Sequence, residues 1–485
     1  MAAIAEPWLT WDLNPRFHAQ SLESYNYKTD VLHLSARTSH SLLHEFVHFH
    51  DHIATPYGYF LDTISDIQNG SYRALLGHFN NVASPPLPLP LARFLTNDDR
   101  LDSFVRRTAG PGFDVEPCAD FLIVFAVAWM NIVAMERSME GLPLPGEIEY
   151  DVEHLIGGIR TIEGLTASGG TALPADVFEV QKLPVGSGQW SGPDDAVPRL
   201  KFENGDRPLL GATALLESRA YFLERSSADV PDILRDLVRR GHHEYFAPVS
   251  RLADQCLALG IKDYRAITDT FYAFADLALS PPLGVHAPLR RSDTWSDVHP
   301  GYRFIKLVVA LKDLGPFDRT REWNPLDYED RCAARLGWPA PSALLQRSAQ
   351  LSSATYRGQR HAAACRLKLK YPRFFINAGL TYLDLPDDEE LNAFEFEYMP
   401  LLAFAAEDVG GPGPSAGSKQ VMERLIGAYL QSLGWSIVMR GNPDEIRHLD
   451  PGIRHERYVD TETGESLEAM LDNFVRKNLR FTGVI

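Results

Sequence analysis

Cysteine is scarce in this sequence. Cys118, Cys256, Cys332 and Cys365 are its four cysteines in 485 residues, and no two stand as a CxxC pair. That excludes a disulfide framework and a thiolate metal site, and it reads as reduced thiols in a core. Basic residues are short as well: 47 Lys and Arg face 64 Asp and Glu, for a net charge of −17. A chain this acidic is expected to bind neither nucleic acid nor anionic membrane. Long apolar runs are missing too. The most apolar stretch, Phe121 to Met135, ends at fifteen residues with Asn131 inside it, where a bilayer span needs roughly 20. The segment after Met1 has no basic region followed by an apolar one, so no secretory signal is expected and the protein reads as cytoplasmic and of bacterial type.

Nucleotide motifs are absent as well. Neither GxxxxGK[ST] nor a strand-linked GxGxxG occurs, which disfavours a nucleotide-dependent enzyme. The string Gly413-Pro414-Ser415-Ala416-Gly417 spells G-x-S-x-G, but it lies in a Gly- and Pro-rich linker and not in the strand–turn–helix context of a nucleophile elbow.

What is present is a globular composition, 45% hydrophobic and 23% charged, with no fixed-period repeat. Residues 28–35 alternate like a short strand, and Thr38 or Ser39 can cap a helix running to about Ile53. Turn signals crowd 174–208, where VFEVQKL and RLKFE suit a hairpin or small sheet. A helix is expected from near Gly211, helical patterns recur to about Leu279, and another helix starts at about Tyr302. The expected fold is α+β and predominantly α-helical: a pair of helices carrying an active site, a small β-sheet and a helical C-terminal region. Residues 1–315 read as a catalytic metal-binding body with a long insertion at about 55–210. Residues 316–409 read as a helical region, and 419–485 as a C-terminal helical appendage.

One motif carries chemistry: His44-Glu45-Phe46-Val47-His48, an HExxH. Four residues apart on a helix, His44 and His48 share a face and can offer two imidazoles to one metal, with Glu45 beside them as a base for an activated water. Leu42, Phe46, Phe49 and Ile53 form an apolar stripe on that helix, while His44, His48 and Asp51 lie opposite, on the side expected to line a cleft. A zinc site wants a third protein ligand. His52 is excluded because eight residues of straight helix carry it about 12 Å from His44. The metzincin spacing fails, since Asp51 and Ala54 stand where Gly and His are required. A carboxylate from a second helix remains. Glu217 is preferred because Thr213, Ala214, Ala220 and Tyr221 surround it on its face, and small residues let two helices approach closely. Asp62 and Asp66 are rivals, and an ion pair with Arg219 or another arginine is the alternative fate of Glu217.

HEFVH on one helix and ExxA on a later one, Glu217 to Ala220, resemble the gluzincin class of zinc metallopeptidases. HEFVHFHDHIATPYG with GATALLESRAYFLE downstream is also similar to a group of bacterial HExxH proteins. The resemblance covers about 30 residues, and the gap of about 170 residues between His48 and Glu217 is long for that class. It implies that His44, His48 and Glu217 bind zinc, that Glu45 is the general base, and that peptide or protein is the substrate. A donor for the developing oxyanion is expected downstream. His299, Tyr302 and Arg303, clustered at a helix start, are the candidates, with His242, His243, Glu244 and Tyr245 as a second pool. The strand at 30–35, or the hairpin at 199–204, is a candidate for pairing with an extended peptide.

Two other functions stay open on the residues alone. Two histidines and a carboxylate also suit Fe2+ in an enzyme that modifies a peptide or small molecule oxidatively. A metal-stabilised interaction protein without catalysis is the third.

Overall fold

The computed structural model describes residues 24–26, 31–34, 39–67, 132, 134–142, 152–167, 196–200, 202, 207–224, 243–283, 293–318, 324–351, 353, 355–377, 388–398, 401–405, 415–417, 459–460, 463, 465 and 469. The architecture is predominantly helical. Among the described residues, no helix is long and apolar enough to cross a membrane. The apolar run 121–135 lies mostly outside the described residues, as do VFEVQKL and nearly all of 419–485.

The helices are α1 (Ser39–Ala54), α2 (residues 56–67), α3 (residues 134–140), α4 (Val152–Ala167), α5 (Ala212–Glu224), α6 (His243–Ala258) and α7 (Tyr264–Ala278). After these come α8 (Trp295–Val298), α9 (Pro300–Leu314), α10 (Pro325–Leu336), α11 (Pro341–Ala349), α12 (Tyr356–Lys370), α13 (Pro372–Asn377) and α14 (Glu389–Tyr398). Their ends follow from local chemistry. Asn324 accepts the backbone N–H of Leu326 ahead of Pro325, and Gly337 closes α10 at φ 73°, a left-handed turn that glycine adopts without strain. Asp263 starts α7 by accepting from Arg265, and Thr355 starts α12 by accepting from Gly358.

Short strands pair as β1 (Ser24–Asn26), β2 (Val31–Leu34), β3 (Leu401–Ala405), β4 (Ser415–Gly417) and β5 (Val459–Asp460), in that order. Because β2 pairs antiparallel with β1 and parallel with β3, Val31–Leu34 has no open edge for a peptide strand. Of the hairpin expected at 199–204, residues 201, 203 and 204 lie outside the described residues; among those described, Arg199 forms an antiparallel bridge with Leu209.

One apolar cluster joins α1 to α13. Val47 of α1, Leu215 and Phe222 of α5, Val249 of α6, Phe271 and Phe274 of α7, Leu307 of α9, Tyr328 of α10 and Ile376 of α13 all belong to it, so this core crosses residue 315. Cys256, Cys332 and Cys365 are buried free thiols.

Two close backbone contacts lie near the end of α1 and just before α5. Gly58, on α2, lies so near the carbonyl oxygen of His52 that an added Cβ would sit 1.8 Å from it. Gly211, just before α5, lies against residues 140 and 141, where a Cβ would be 2.1 Å from the Gly141 nitrogen. No other residue fits either place without moving backbone.

Candidate metal centre

α1 and α5 pack against each other and carry the residues singled out by the motif. Nε2 of His44 lies 3.3 Å from Oε2 of Glu217, Nε2 of His48 lies 3.5 Å from the same oxygen, and the two imidazole Nε2 atoms are 3.1 Å apart. Among the described residues, this triad is the one group of His, Cys, Asp and Glu whose ligand atoms converge closely enough to hold a metal ion. Zinc bonds of about 2.0–2.1 Å in tetrahedral array place ligand atoms about 3.3 Å apart, so the three separations match a tetrahedral face. The donor chemistry points the same way. Two imidazole nitrogens directed at each other and at one carboxylate oxygen cannot all be satisfied by single protons, whereas a cation accepts a lone pair from each.

Electrostatics keep the carboxylate charged. Partial burial pushes Glu217 toward its neutral form, but the imidazoles of His48 and His44 outweigh it and hold the carboxyl well below the usual range. Among the three side chains, His44 and Glu217 are the more exposed. The His44 and Glu217 side chains are 19% and 20% exposed, while that of His48 is 6% exposed. Glu45 is buried on the same turn. The ligand side of α1 is therefore less of a cleft than the helical wheel predicts, because α5 covers most of it and Asp51 is buried too.

Behind the triad lies a buried ionic network that sequence reasoning missed. Nη1 of Arg219 donates to Oδ1 of Asp51 at 2.5 Å and to Oδ1 of Asp276 at 3.3 Å. Its Nη2 donates to the carbonyls of Phe375 and Ile376 at the end of α13. Nζ of Lys368 donates to both oxygens of Asp276, at 2.7 and 2.8 Å, and to the Ala54 carbonyl at the end of α1. Nδ1 of His361 donates to the Ile53 carbonyl at 2.8 Å. Two cations thus face two carboxylates, and the last carbonyls of α1 receive the donors a helix end lacks. A third carboxyl beside them, Glu329, is fully buried; burial and then Asp276 raise its pKa well above the ordinary value, which favours its neutral form. Arg219 therefore pairs with Asp51 and Asp276; no bond to Glu217 is among its contacts.

The other candidates fall elsewhere. Asp62 is buried against His52 at 2.8 Å and Arg360 at 3.1 Å, with Arg357 alongside, and it is outside the triad. Asp66 approaches Arg357 at 3.6 Å. His299 is wholly buried at the start of α9, where its Nδ1 accepts the backbone N–H groups of Gly301 and Tyr302 and its Nε2 donates to the Ser138 carbonyl. Burial lowers its pKa to about 4. Arg303 donates to the carbonyls of Asp297, Leu277 and Ser280 and stacks 3.8 Å above the Trp338 ring. Both residues are engaged inside the fold. Tyr302 lies between them in the sequence, on α9, with its ring edge-on to His299. Residues 241 and 242 lie outside the described residues, and His243 begins α6.

Comparison with protein-family models, with curated proteins and with solved structures finds no match for this chain.

Proposed function

We propose that the chain is a zinc-dependent hydrolase, most simply a peptidase, with His44, His48 and Glu217 as ligands. The observation that carries the proposal is the convergence of two Nε2 atoms and one Oε2 atom at tetrahedral spacing, on helices whose residues are 173 positions apart. When bound, zinc supplies a Lewis acid for the substrate carbonyl and lowers the pKa of water. The chain's own residues do the rest. Glu45, next to His44, takes the proton of the attacking water on its carboxylate and delivers it to the departing amine. The exposed edge at His44 and Glu217 is the side from which a substrate carbonyl can enter. In this reading His299 and Arg303 position α9, because both His299 ring nitrogens and both terminal Nη atoms of Arg303 are already bonded within the fold.

The test is Glu45→Gln in the full chain, assayed on a mixed peptide library with zinc content measured in parallel. The proposal expects zinc retained and hydrolysis lost. Full hydrolysis by that variant removes Glu45 from the mechanism. Iron in place of zinc, with a product that requires dioxygen, transfers the same three ligands to oxidative chemistry.

A further inference from the structure

We propose that Asp51 and Arg219 form a positioning pair behind the metal centre: Asp51 orients His48 through its Nδ1–H, and Arg219 locks that carboxylate to the helix bearing Glu217. The inference rests on the metal reading above and concerns residues that touch neither substrate nor metal.

Three observations lead to it. Nε2 of His48 faces the other two donors, so a cation there leaves the ring proton on Nδ1. That Nδ1 is buried, and among the described residues it has no hydrogen-bond partner; Oδ2 of Asp51 is in the same condition. An N–H donor and a carboxylate oxygen, both buried and both unmatched, stand one turn apart on α1, where residues three positions apart are neighbours.

The other Asp51 oxygen completes the argument. Oδ1 receives Nη1 of Arg219, and Arg219 sits two residues beyond Glu217 on α5. The pair therefore spans the two ligand-bearing helices one layer below the ligands, in the arrangement by which outer-shell carboxylates fix a ligating imidazole. Asp276 and the carbonyls of Phe375 and Ile376 hold the guanidinium from behind.

The test measures Zn2+ affinity of the full chain by competition with a chromophoric chelator, alongside the thermal midpoint. Two variants are used. Asp51→Asn is isosteric, but its one oxygen must serve Arg219 and its amide then opposes the Nδ1–H. Asp51→Leu with Arg219→Met removes both charges together, which folds more readily than leaving one unpaired. The expected result is zinc affinity lowered roughly 10- to 100-fold in either variant. Asp297→Ala is the control: it breaks contacts to Thr294, Lys306 and Trp338, and is expected to lower the midpoint with zinc affinity unchanged. A folded Asp51 variant with wild-type affinity overturns the assignment of Asp51 while leaving the metal site intact. Loss of folding in both variants overturns it too, since the pair then serves stability alone. A wild type that takes up no zinc overturns the metal reading itself, and this inference with it.

Discussion

Nη2 of Arg360 donates to Oδ2 of Asp62 across 3.1 Å, joining residues 298 positions apart in a wholly buried pair. His52 holds the other carboxylate oxygen at 2.8 Å, so one aspartate ties the motif helix α1, its successor α2 and the distant α12 together. Through His361 and Lys368, α12 also caps the end of α1. The motif helix is thus clamped by residues far downstream of it.

This clamp separates two fates for Asp62. Burial opposes its ionisation, but His52, Arg357 and Arg360 overcome that and hold its pKa well below the usual range. Asp62→Ala leaves these partners buried without a counter-charge and is expected to cost about 3–5 kcal/mol. Urea unfolding measures that loss. Zinc content of the folded fraction should stay at the wild-type level; loss of zinc without loss of stability would make Asp62 a ligand instead.

Acid should weaken the fold through His299. Its folded pKa is about 4 because the ring is buried, against about 6.5 for an unfolded histidine. Between these values the unfolded chain binds a proton that the native chain does not, so stability falls as the pH drops from about 6.5 to 4, by about 3 kcal/mol at most. His299→Gln keeps an acceptor and a donor without a titrating ring. Its urea midpoint is expected to depend less on pH across this window than that of the wild type. An identical pH dependence in the two proteins would assign the acid sensitivity to other groups.

The convergence of the candidate triad was legible in the sequence to an uneven degree. The four-residue interval between His44 and His48 fixes their shared face whatever the tertiary fold, because helix geometry alone decides it. Glu217 was readable from the small residues around it, which permit the close approach of α1 and α5. The network behind was not readable. Arg219 lies 168 positions from Asp51 and Lys368 lies 92 from Asp276, and only the packing of α7, α12 and α13 brings those charges together. A helical wheel places Asp51 beside the histidines but cannot tell a cleft from a covered face. His299 shows the same ambiguity: an imidazole before Pro300 and Gly301 can face a substrate or cap a helix, and here both its nitrogens are bonded to backbone.

Metal quantification on the wild type, His44→Ala and Glu217→Ala tests the central claim most directly, with circular dichroism confirming that each variant is folded. The account predicts one zinc per wild-type chain and little or none in either variant. A folded wild type without metal, or a Glu217→Ala variant that keeps its full complement, would contradict it.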